Sequence, residues 1–118
     1  MQSYKDLDVW KKSMLLVKEV YILLNRLPKS ENYGLSDQMR RSSVSIPSNI
    51  AEGYGRHSAN DYIRFLNIAR GSKCELETQI EICMMLGFLS DQESEVALGL
   101  CVDVGKMLNN LINRLKKD

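Results

Sequence analysis

GLSDQMRRSSVSIPSNIAEGYGR, residues 34–56, sets the architecture of this chain. Leu35, Met39, Ile46 and Ile50 recur along it, with Ser42 filling the step between Met39 and Ile46. Gaps of three and four residues are the period of an amphipathic helix. Pro47 sits inside that helix. It has no N–H to offer Ser43, its ring crowds that carbonyl, and it biases Ile46 away from the α region. The helix is therefore either bent near Ser45 or split, with Pro47 in the first turn of a second piece. The apolar spacing runs through the proline unbroken, which favours the bend.

Upstream, Leu7, Trp10, Met14, Val17, Tyr21 and Leu24 repeat at alternating gaps of three and four. A second row, Val9, Leu16, Val20, Leu23 and Leu27, lies beside it. Two adjacent rows predict a wide core-facing surface on a first helix, capped by Asp6 or Asp8 and ended by Pro28. On this reading Trp10 is a core residue rather than a stacking platform for a ligand. Residues 28–34 form a polar loop too short for a crossover, so the second helix returns beside the first. It ends at Gly53 and Gly55, the latter suited to a left-handed cap.

Downstream, Ser58 and Asp61 have capping-box spacing before a third helix. Its core row is Tyr62, Phe65, Ala69, Ser72, Leu76, Gln79, Cys83 and Leu86, and Gly87 stops it. Gly71 lowers helix propensity by about 1 kcal/mol, and close helix–helix approach is the expected compensation. Ser90 or Asp91 caps a fourth helix, with Ala97, Cys101, Val104, Leu108, Leu111 and Leu115 along its seam. Arg114, Lys116 and Lys117 suit the negative end of its dipole. The expected fold is all-α: one domain over residues 1–118, an antiparallel up-down-up-down four-helix bundle with helices at about 7–27, 35–54, 59–86 and 91–116. The second helix is expected to be kinked near Pro47.

Composition narrows the function classes. The 118 residues carry a net charge of +1, and 44% are hydrophobic, ordinary for a globular domain. No signal-like leader or membrane-length apolar run is visible, so the expected location is cytoplasmic, away from membranes. Three cysteines, Cys74, Cys83 and Cys101, make an odd count with no close pair, which fits a reducing compartment. A helical bundle invites a di-iron site, but the chain has one histidine, His57, and no Glu-x-x-His. No zinc spacing, Ser-x-x-Lys pair or nucleotide-binding glycine fingerprint occurs either. The chain reads as a non-enzyme, with no cofactor and no metal implied.

Two groups of polar residues stand out. Asn49 and Glu52 on the second helix, and Glu75 and Thr78 on the third, have spacings that let them meet if the helices are neighbours. A structural cluster that satisfies the groups freed by Pro47 is one reading, and a partner site is the other. The cations Arg40, Arg41, Arg56, Arg64, Arg70 and Lys73 form a basic block, followed by Glu75, Glu77, Glu81, Asp91, Glu93 and Glu95. If gathered on one surface, those six cations can contact the phosphates of RNA or DNA, with Tyr54 or Tyr62 stacking bases. They can equally pair with Glu52 or Glu75. Helix three also carries its basic residues first and its acidic residues last, against the helix dipole. Contact between basic and acidic ends of successive subunits explains that order and closes into a ring.

Arg40-Arg41, Ser45-Ile46-Pro47 and Asn49-Ile50-Ala51-Glu52-Gly53 resemble the signature of the four-helix-bundle proteins encoded in intervening sequences of 23S ribosomal RNA genes. Leu7-Asp8-Val9-Trp10, Tyr62 to Leu66, Gly71-Ser72 and Glu75-Leu76-Glu77-Thr78 are similar as well, so the resemblance spans about Tyr4 to Leu115. It implies an antiparallel bundle, a homo-oligomer that is often a ring-shaped pentamer, and no assigned enzymatic activity. A more distant resemblance is to the accessory variability determinant of diversity-generating retroelements, which binds nucleic acid and a reverse transcriptase. The function expected on these grounds is a non-catalytic oligomeric scaffold or adaptor whose partners are itself and an RNA or RNA-handling protein. The alternative is direct RNA or DNA binding through a basic surface on helices two and three.

Overall fold

The computed structural model describes residues 3–117. Among them are four α-helices and no strand: α1 (Asp8–Leu24), α2 (Leu35–Tyr54), α3 (Ala59–Met85) and α4 (Asp91–Lys117). Short 3-10 turns at Tyr4–Asp6 and Lys29–Glu31 precede α1 and α2.

Each helix boundary has a local cause. Ser3 caps the first 3-10 turn, and α1 starts from Leu7 without a side-chain cap, so neither Asp6 nor Asp8 takes the expected capping position. Glu31 reaches forward, its Oε1 accepting from the Leu35 N–H at 3.3 Å, at the start of α2. Gly55 ends α2 in a right-handed conformation (φ −79°), not the expected left-handed one. Ser58 accepts from the Asp61 N–H at 3.1 Å and begins α3. Gly87 ends it at φ +80°, and Phe88 N–H bonds back to the Cys83 carbonyl at 2.8 Å, a Schellman closure. A reciprocal capping box starts α4. The Glu93 N–H donates to Ser90 Oγ at 3.0 Å, and the Ser90 N–H donates to Glu93 Oε1 at 2.9 Å.

The helices touch in a cycle: α1 with α2, α2 with α3, α3 with α4, and α4 with α1. Among the described residues α1 makes no close backbone approach to α3, nor α2 to α4. The buried centre holds Leu16, Val20, Met39, Ile46, Ile50, Leu66, Leu76, Ile80, Val104 and Leu108. On α1 the buried row is Val9, Leu16, Val20, Leu23 and Leu27. The neighbouring row does not follow it inward. Trp10 and Leu24 are partly buried, while Met14 and Tyr21 are exposed. The reason is angular: a helix in a cycle of four turns only one sector toward the core, and this row lies at the rim of that sector.

Glycine marks the tightest approach, though not at Gly71. A Cβ on Gly53 would lie 2.9 Å from Phe65 Cβ and 3.2 Å from the Tyr62 carbonyl oxygen. One on Gly105 would meet Lys73 Cε at 3.0 Å. Gly71 is exposed, and a Cβ there would meet nothing within 4 Å.

Candidate functional site

The α2–α3 seam is polar at its centre. Ser42 Oγ donates to Gln79 Oε1 at 2.7 Å, and both residues are buried. Ser45 and Ser72 hydroxyls bond at 2.8 Å. The Asn49 amide donates to the Ser45 carbonyl at 2.8 Å and to its hydroxyl at 3.0 Å. Pro47 is buried between them, in a single helical span. Of the four residues expected to cluster, only Asn49 joins this seam. Glu52 pairs with Arg56 at 3.1 Å, Thr78 bonds the Cys74 carbonyl at 2.9 Å, and Glu75 is exposed with no ion pair among the described residues. The register of α2 on α3 sets this: it brings Ser42 and Ser45 to Gln79 and Ser72, and turns Glu52, Glu75 and Thr78 outward.

The six candidate cations divide by place. Arg40 and Arg41 share Asp37, at 3.3 and 3.1 Å. Arg56 follows the end of α2, and that helix runs about 21 Å from Arg40 to Tyr54 at 1.5 Å per residue. Arg56 and Arg64 each cover the Phe65 ring, at 4.6 and 4.5 Å, and Arg64 also approaches Asp61 at 3.7 Å. Arg70 has amide partners instead of acids, Asn109 at 2.8 Å and Asn67 at 2.7 Å. Lys73 is the least accessible, its side chain 14% exposed, bonded to Glu77 at 2.8 Å and laid across Gly105. Burial pushes its ammonium down, but the hydrogen bond and charge of Glu77 outweigh that and hold it above its ordinary value.

Contacts between α3 and α4 complete a basic end that spacing along the chain did not reveal. The Arg70–Asn109 bond and the Lys73–Gly105 contact bring the first half of α3 beside the second half of α4. Residues 105–117 supply Lys106, Arg114, Lys116 and Lys117 and no acid. Arg114 is near enough to oppose the upward push that burial and Tyr54 give the Tyr62 hydroxyl. Arg40 and Arg41 stand apart from this end. Residues 74–104 carry Glu75, Glu77, Glu81, Asp91, Glu93, Glu95 and Asp103 and no base.

The remaining chemistry is quiet. Cys74 is exposed, while Cys83 and Cys101 are buried. Burial pushes the Cys101 thiol up to about 12, and raises Cys83 as well. His57 is exposed in the turn between α2 and α3. Among the described residues no group of three His, Cys, Asp or Glu is arranged to hold a metal, and no helix is long and apolar enough to cross a membrane.

The outer face of α1 was missed because Met14 and Tyr21 were read as core and Leu15 and Ile22 fell on neither apolar row. Met14, Leu15, Tyr21 and Ile22 are 43%, 53%, 44% and 44% exposed. The available signal was width: apolar residues extend around more of α1 than one core sector can take.

A family model described as 23S rRNA-intervening sequence protein matches residues 5–110. Among solved structures, the chain is similar to a protein with unknown function from the S23 ribosomal protein family of Bacteroides thetaiotaomicron. That similarity has a TM-score of 0.82 and 27% identity, covering 88% of this chain and 97% of the other. Comparison with curated proteins gives no match.

Proposed function

The chain belongs to the 23S rRNA-intervening sequence protein family, and from that premise we propose that it is a non-catalytic scaffold that assembles with copies of itself. The frame is an antiparallel up-down-up-down bundle. Cross-helix partners support it, because they run in opposite order: 42 with 79 and 45 with 72 on α2 and α3, then 12 on α1 with 103 on α4, and 26, just past the end of α1, with 93 on α4. A bend in α2 near Ser45 follows from Pro47.

The observation that carries self-assembly is the exposed apolar row on α1. Four large side chains on about two turns flank Lys11 and Lys18 on one exposed face, and large apolar groups gathered on one exposed face mark contact surfaces. Light scattering at micromolar concentration is expected to give a multiple of the 13.5 kDa chain mass, five-fold for a ring pentamer. A single-chain mass would overturn the scaffold reading. The non-catalytic part is supported by the inert character of the buried thiols and the solvated position of His57. Turnover of any substrate that is lost in a Glu52→Gln variant would contradict it.

The second reading is direct RNA or DNA binding, and the basic α3–α4 end favours it. Exposed ion pairs contribute little, so Arg64 can exchange Asp61 for phosphate at small cost. Anisotropy with labelled structured RNA is expected to show binding that weakens with salt, with a shallower salt dependence in Arg70→Ala/Lys106→Ala. Arg40→Ala/Arg41→Ala should leave that slope unchanged. No binding at low salt removes this reading.

A further inference from the structure

The outer faces of α1 and α3 are unlike and complementary. Among the described residues the two helices make no close backbone approach to each other, and each contacts α2 and α4, so their outer faces point to opposite sides of the molecule. On α1, Lys11 and Lys18 lie between the exposed pairs Met14/Tyr21 and Leu15/Ile22, and both lysines are exposed without an ion pair among the described residues. On α3, Glu75 and Glu81 are exposed and also lack an ion pair. Between these acids the surface is low, because Gly71, Cys74 and Thr78 share one exposed ridge. Gly71 lies within a helix, is not the positive-φ glycine, and contacts nothing across the bundle. A helix-interior glycine costs about 1 kcal/mol, and inside the chain nothing offsets it.

We propose that the outer face of α1 in one copy seats on the outer face of α3 in the next. The proposal rests on the scaffold reading and specifies its contact. The large side chains of α1 reach over the low ridge, Gly71 permits close backbone approach, and Lys11 and Lys18 meet Glu75 and Glu81. An α1-to-α1 contact would instead bring lysines against lysines and leave the α3 acids uncovered. Each copy offers one face of each kind on opposite sides. The contact is therefore heterologous and repeats from copy to copy, closing into a ring when the rotation allows.

Cys74 makes the contact testable, because it is an exposed thiol while the other two cysteines are buried. Lys18 and Cys74 lie near the midpoints of their helices, so a contact centred on both helices brings them together. Mild oxidation of Lys18→Cys with diamide is expected to give a ladder of covalent multimers on a non-reducing denaturing gel. Lys18→Cys/Cys74→Ser should give none. Dimers that persist in that double variant would show an α1-to-α1 contact and overturn the proposal. Gly71→Leu, which favours helix at an exposed position, should retain melting temperature yet drop to a single-chain mass. An unchanged multimer mass in Gly71→Leu would also overturn the proposal while leaving the scaffold reading intact. A single-chain mass for the unaltered protein would remove both.

Discussion

A methyl group on Gly53 would press into Phe65 Cβ at 2.9 Å and the Tyr62 carbonyl at 3.2 Å. The α2–α3 turn would have to open to admit it. Gly53→Ala is expected to cost about 1–3 kcal/mol, read as a lower melting temperature by circular dichroism. Ser94 presents the opposite case. Its hydroxyl is buried and has no hydrogen-bond partner among the described residues. Ser94→Ala should raise stability by about 1 kcal/mol, seen as a higher urea midpoint with unchanged slope. The position of Gly71 was legible in principle. Ser72 lies on the core row, and one helical step of about 100° turns its neighbour away from that row. Gly53 and Gly105 are different, because what presses on them comes from another helix, and only the helix register brings those atoms near.

Among the elements, α4 depends on its capping box. The Ser90 backbone N–H, with the Ser90 hydroxyl and Arg26 adding to it, holds the Glu93 carboxyl below its ordinary range. A lowered folded value means that its stabilisation is present above the ordinary carboxylate value and is lost as pH falls through the folded one. The urea midpoints of the unaltered chain and Glu93→Gln should therefore differ at neutral pH and converge in acid. The seam between α2 and α3 makes a second prediction. Gln79→Leu leaves the buried Ser42 hydroxyl without its partner on α3 and should cost about 1–3 kcal/mol, whereas adding Ser42→Ala should recover most of that loss. The apolar period made the four helices readable, and Ser58, Gly87 and Ser90 marked three of their ends. The Ser42–Gln79 and Ser45–Ser72 bonds were not readable as pairs. Ser42, Ser72 and Gln79 fell on apolar rows and Ser45 beside one, but pairing them needs the register of one helix on the next. For α1 the period gave the helix but not its buried sector, since both rows satisfy it equally.

For the whole molecule, what matters is where charge collects. Sequence blocks showed that the basic stretch precedes the acidic one, yet Lys106, Arg114, Lys116 and Lys117 join Arg64 and Arg70 only through the packing of α3 on α4. Arg40 and Arg41 leave the group for the same reason, being near the start of α2. A net charge of +1 therefore conceals one basic and one acidic end on a body 46 Å long. Near its isoelectric point of about 7.7, such a molecule is an electric dipole more than an ion. Unlike ends of separate molecules then attract through water, and that attraction shortens with the Debye length as salt is added. Light scattering and turbidity should show a protein that is least soluble in dilute buffer near that pH and is salted in by modest sodium chloride.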